Sequence, residues 1–200
     1  MTQYSIDEFV NLLDRGELSV EDIFKIRKIL NVNFKLHPLG FYSCTLLHEK
    51  NQKIRLHYWD SIIKKEQQSV DLMIHDHIFN FKSWIMLGAL ENIEYEMNDE
   101  GDIFYLYSTG YVGNSSILKA TGENIKIIPK NLNVYTQGMS YIMKADVLHK
   151  TRNVADKTIT ILHTEDIRYS TPRVLSPKNS LESEIIFNRK DISEEQIFII

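Results

Sequence analysis

Three observations predict a mainly β protein, a double-sheet sandwich or barrel preceded by two α-helices. From Leu36 onward apolar and polar residues alternate with a period of two, the pattern of half-buried strands. Turn signals interrupt that alternation at short intervals, at Asn98-Asp99-Glu100-Gly101, Gly110, Gly113-Asn114, Gly122 and Pro129, and many short strands so punctuated indicate a sandwich or barrel. Ahead of Leu36 the apolar residues recur at helical spacing behind two serine starts.

In chain order, Ser5-Ile6-Asp7-Glu8 and Ser19-Val20-Glu21-Asp22 each place an acid three residues after a serine, the signature of a capped helix start. Helices are expected at roughly 5–15 and 19–30, parted by Gly16. Each presents one apolar face (Ile6, Phe9, Val10, Leu13; Ile23, Ile26, Ile29, Leu30) that must pack on the body of the protein or on a second copy. Strands are expected at roughly 40–48, 53–59, 70–78, 83–97, 102–108, 116–119, 125–128, 133–135, 140–144, 147–151 and 157–164. The tail beyond Pro177 is polar and then apolar, an ordered arm or a short docked helix. The organisation is a helical segment at 1–34, a β body at 35–176 and a C-terminal arm at 177–200.

Composition narrows the function classes. The chain has 200 residues, 43% hydrophobic and 25% charged, with net charge −4. Its basic residues are scattered, which argues against a nucleic-acid groove and against an anionic membrane surface. Neither an apolar run of spanning length nor a basic start followed by an apolar run is present, so the expected address is the cytoplasm. The single cysteine, Cys44, fits a reducing compartment.

The chemistry concentrates in His75-Asp76-His77. On a strand His75 and His77 project to one side and Asp76 to the other. With His149 from a second strand they would form a facial set of neutral imidazoles, a ligand type that suits iron, zinc, copper and nickel and leaves positions open. The plainer reading is a polar strand face. Phe79 and Phe81 share the parity of His75 and His77 and either line the same cavity or are ordinary core residues. In Lys53 to Trp59, Ile54, Leu56 and Tyr58 lie on one face and Arg55, His57 and Trp59 on the other. Arg55 and His57 therefore enter a pocket, or else face solvent or an oligomer contact, depending on which face the core takes. Arg55 and Arg152 are candidates for gripping a carboxylate with a bidentate fork, Arg152 more simply as surface charge. Tyr141 is a candidate acid or hydrogen-bond donor, or a core tyrosine. His37 and His48 read as surface residues, and His163 as a strand-end imidazole with a hydrogen bond.

Gly138, His149 and Asn153 follow the spacing of one motif, with Lys144 and Asp146 in place of its Pro and second Gly, and His75, His77 and Gly88 that of another, with Ser69 in place of its opening Gly and Phe81 in place of its Glu. In this the chain resembles the cupin superfamily, over roughly residues 35 to 176. The resemblance implies a double-stranded β-helix, or jelly roll, with a metal held by His75, His77 and His149, and frequent homodimers. Lacking the Glu, the set resembles the three-His iron site of the thiol dioxygenase branch. The function so implied is a mononuclear non-haem Fe(II) dioxygenase acting on a small thiol- or carboxylate-bearing molecule, with Zn, Ni or Mn as other metals. The alternatives are a non-redox isomerase or lyase and a small-molecule-binding cupin without catalysis. Asn153 would support the loop bearing His149. The branch's active-site Cys has no counterpart in Phe79 to Trp84, and its Ser-His-Tyr relay has only unaligned candidates in His163 and Tyr169.

Overall fold

The computed structural model describes residues 4–61, 63, 72–167, 171–177, 182–193 and 197. Two helices come first, α1 (Ile6–Asp14) and α2 (Val20–Ile29), and both expected capping boxes form, Ser5 with Glu8 and Ser19 with Asp22. Each box satisfies N–H groups that the first helical turn leaves unpaired. Gly16, at φ +67°, lets the chain reverse between the helices.

The strands that follow are β1 (Phe34–His37), β2 (Phe41–Glu49), β3 (Gln52–Asp60), β4 (Ile74–His75), β5 (Phe79–Leu87), β6 (Ala89–Val112) and β7 (Ser115–Thr136). The remainder are β8 (Ser140–Met143), β9 (His149–Asn153), β10 (Lys157–Asp166), β11 (Arg173–Ser176), β12 (Glu184–Asn188) and β13 (Asp191–Ile192). They form a seven-stranded sheet, β13-β1-β2-β3-β10-β5-β8, and a six-stranded sheet, β11-β4-β9-β6-β7-β12. Every pairing is antiparallel.

The expected strand 83–97 is divided at Gly88, where the chain leaves one sheet for the other. Gly88 has φ +76°, and a Cβ there would meet the Lys157 carbonyl oxygen at 2.1 Å. Only glycine permits that crossing. Conversely, the separate strands expected at 102–108, 116–119, 125–128 and 133–135 merge into the long β6–β7 hairpin. Its turn signal Asn98 to Gly101 is a bulge, because Met97 and Asp102 both pair with Ile127. Gly101 is needed there, since a Cβ would lie 2.5 Å from the Ile127 carbonyl oxygen. Strand β6 pairs with β9 through Leu90–Glu94 and with β11 through Arg173's partner Ser108 back to Tyr105.

The helices settle which side of the seven-stranded sheet is which. Ile6, Phe9, Leu13 and Ile23 pack on Ile54, Leu56, Tyr58, Ile159 and Ile161, each fully buried aliphatic contributing about 1.5–3 kcal/mol. The aliphatic face of β3 is thus covered from outside by α1 and α2, and the Arg55–His57–Trp59 face turns inward between the sheets. The α1 face and Ile23 of α2 are thereby buried within the chain, while Ile29 and Leu30 of α2 stay 67% and 36% exposed. The C-terminal arm is not a helix over its described residues: β12 extends the six-stranded sheet and β13 the seven-stranded one. Strands β1, β11, β12 and β13 were not expected; each has five residues or fewer, too short for alternation to register. No helix among the described residues is long and apolar enough to cross a membrane.

Candidate metal centre

The strand expected at 70–78 is regular only over Ile74–His75, and residues 64–71, Ser69 included, lie outside the described residues. What places the histidines is the ladder. His75 of β4 is the direct cross-strand partner of His149 of β9, and residues directly opposite project to the same side. Their rings lie 4.5 Å apart, and that of His77 lies 4.8 Å from His75 and 5.0 Å from His149. One ligand nitrogen from each can be chosen so that all three fall within 4.8 Å of one another, close enough to hold a metal ion.

Backbone carbonyls fix two of the rings. His75 Nδ1 lies 3.0 Å from the Met73 oxygen and His149 Nδ1 lies 2.9 Å from the Val147 oxygen. A carbonyl only accepts, so each Nδ1 carries the proton and each Nε2 keeps a free lone pair for an ion. His77 is stacked on Phe79, centroids 4.5 Å apart and planes 15° from parallel, with the edge of Phe81 at 5.7 Å. Burial holds all three imidazoles below the ordinary histidine range, and repulsion from the neighbouring rings adds to it at His77 and His149; His149 is pushed down to about 3. They are neutral at pH 7, as metal ligands must be.

Asp76, just beyond β4, points away from the cluster toward Arg173. It is 2% exposed, and its two oxygens accept from the backbone N–H and Nε of Arg173, each at 2.6 Å. Among the described residues the cluster contains no carboxylate, and the position where the cupin motif expects Glu holds the Phe81 ring, 6.4 Å from that of His149.

The cluster opens on a cavity of about 90 Å³ between the sheets, room for a small molecule or several waters. Arg55, His57, Phe79, Phe81 and Tyr141 all line it. Arg55 lies 5.2 Å over the Phe79 ring. Burial, then Arg55, lowers His57 to about 3. Burial raises the Tyr141 hydroxyl, and the neighbouring Asn92 and Ser83 oppose that rise. Four buried polar atoms on this wall, Arg55 Nε, Trp59 Nε1, Thr160 Oγ1 and Thr164 Oγ1, have no hydrogen-bond partner among the described residues, a situation that a polar ligand relieves.

Other candidates fall elsewhere. Arg152 pairs with Glu91 and does not reach the cavity. Asn153 braces the turn after β9, bonding the Ala155 backbone and Thr158, rather than a ligand histidine. His163 contacts Gln52 Oε1 at 3.2 Å and His48 is exposed. Tyr169 lies outside the described residues. Cys44 is buried under the helices on the far side of the sheet, its thiol pushed up by burial to about 12. His37 corrects the surface reading: it stacks on Phe41 at 4.3 Å and lines the cavity. Arg189, in the tail, was missed altogether, and only the short alternation of Glu184–Asn188 hints that its neighbourhood is a strand.

No protein-family model matches the chain, and no curated protein matches it in sequence.

Proposed function

We propose that the protein is a metal-dependent cupin-type enzyme, a mononuclear non-haem Fe(II) dioxygenase acting on a small carboxylate- or thiol-bearing molecule. One observation carries the reading: three neutral imidazoles converge without a carboxylate on a cavity that also holds the buried guanidinium of Arg55. The mostly β architecture is compatible with a cupin. His75, His77 and His149 would hold the ion. Bound ferrous iron would supply open coordination positions for substrate and dioxygen.

The chain's own residues do the rest. Arg55 offers its fork to a substrate carboxylate, and the Phe79 face beneath it fixes the plane of that fork. Phe79 and Phe81 keep bulk water from the histidines and strengthen charge interactions there. Tyr141 keeps its proton and is a hydrogen-bond donor, while neutral His57 offers a ring nitrogen as a hydrogen-bond acceptor to substrate. These last two groups also favour a second reading, a non-redox isomerase or lyase moving a proton in the same cavity.

Elemental analysis of protein purified without a metal-affinity column, followed by oxygen uptake with small thiol carboxylates, separates the two. Retained iron and substrate-dependent uptake are expected; zinc retention with no uptake would favour the proton-transfer chemistry. Absence of any retained metal would sink both.

A further inference from the structure

A second guanidinium reaches the same cavity. Arg189, just after β12, lines it together with Arg55, and it also lines an adjoining pocket of about 70 Å³ that shares His37, Leu39, His75 and His77 with the first. Arg189 therefore stands where the two spaces meet. Its Nε donates to Ser116 Oγ at 3.0 Å and its plane lies 5.2 Å over the Tyr111 ring. Neither contact is an acid, so both hold the side chain without neutralising it.

Among the described residues no carboxylate lines the inner cavity. In the adjoining pocket the lining acid is Asp76, which is taken up by Arg173. Asp166, whose charge acts on Arg55, is bound by Lys53 Nζ at 2.8 Å. Arg55, the partly buried Arg189 and a divalent ion would leave this space positive, and charge withdrawn from water without a counter-charge is costly. Among the described residues that counter-charge is missing, which leaves it to the ligand. His37 fits the same picture: its Nδ1 accepts the Leu39 N–H at 3.2 Å, so its proton sits on Nε2, a further donor for an acceptor-rich guest.

We propose that the cavity takes a dianion, a small molecule with an acidic group at each end, one held by Arg55 and the other by Arg189. The stretch between the acids would lie against Leu39 and Phe41, which suits a short carbon chain; a dicarboxylate is the simplest such molecule. This deepens the reading of the cavity as a substrate site and rests on it, but it does not depend on which metal is bound.

The test is calorimetric titration of the full chain, metal-free and zinc-loaded, with glutarate and with butyrate. Glutarate should bind at least about tenfold more tightly, the worth of one charge-assisted pairing. Arg189→Gln should erase that advantage and leave butyrate unchanged, while Arg55→Gln should weaken both acids. Arg189→Lys, which keeps the charge but not the fork, should retain part of the advantage, and circular dichroism checks that each variant is folded. Equal affinity for the two acids, binding of neither, or full glutarate affinity in both Arg189 variants overturns the proposal. A glutarate advantage in protein that retains no metal would leave the dianion site standing and remove the metal-enzyme reading; butyrate binding that needs Arg55 but shows no glutarate advantage would do the reverse.

Discussion

His75 and His149 face each other as direct partners across the β4–β9 ladder, so sheet register, and not loop conformation, sets two of the three imidazoles. A slip of one residue would send one ring to the other side of the sheet. Replacing His75, His77 or His149 with Ala should each abolish retention of a divalent ion, while His48→Ala, on an exposed strand position, should leave it intact. Metal content of desalted protein is the measurement. Full occupancy in His149→Ala would remove the assignment.

Asp76 sits between two of those histidines and ties them to β11 through Arg173. The carboxylate is buried and the guanidinium only partly so, 2% against 35% exposed. Asp76→Ala therefore strips the buried half of the pair and leaves the Arg173 backbone N–H without its acceptor, costing about 3 kcal/mol. Urea unfolding of the metal-free variant reads this. Because Asp76 aligns both flanking rings, metal affinity should fall as well; unchanged stability and affinity would mean the pair is a bystander.

How far these features were legible follows from their range along the chain. Capping boxes at Ser5 and Ser19 are local, and both helices lie where the sequence puts them. His75 and His77 on one side and His149 arriving from another strand follow from parity and motif spacing; the three do lie together, although the regular strand ends at His75 and does not itself carry His77. Parity alone could not say which face of β3 meets the cavity. That depended on α1 and α2 claiming Ile54, Leu56 and Tyr58 from outside, a long-range choice that left Arg55 and His57 inside. His37 was read as a surface residue because its neighbour Pro38 marks a turn, yet the turn folds over the cavity. Arg189 lies in a segment whose only signal is a five-residue strand.

His57 carries a pH prediction. Burial, reinforced by Arg55, takes its folded value to about 3, below the value of about 6.5 in an unfolded chain. As pH falls below 6.5 the unfolded state binds the proton first, so the stability present at neutral pH is lost as pH drops toward 3. His57→Gln should flatten the acid-side dependence of metal-free protein by about 1.4 kcal/mol per pH unit. Urea midpoints at pH 7.5, 6 and 5 give the slope. Parallel slopes in the two proteins would place His57 in solvent instead.

Cys44 reports on the helical cover. It is 7% exposed beneath α1 and α2, and its thiol is raised from 9.0 to about 12 by burial. At pH 8 the reactive thiolate is thus about a thousandfold scarcer than in an ordinary cysteine, and reagents cannot reach it. Native protein should resist a thiol-specific reagent that labels the urea-unfolded chain within minutes. Phe9 is fully buried against this cluster, and Phe9→Ala should cost about 3–5 kcal/mol. Loosening of the helices then exposes the sulfur, so labelling of Cys44 should accelerate in parallel with the loss of stability. If labelling stays slow while stability falls, something other than α1 and α2 shields Cys44; if native Cys44 labels readily, they do not cover it at all.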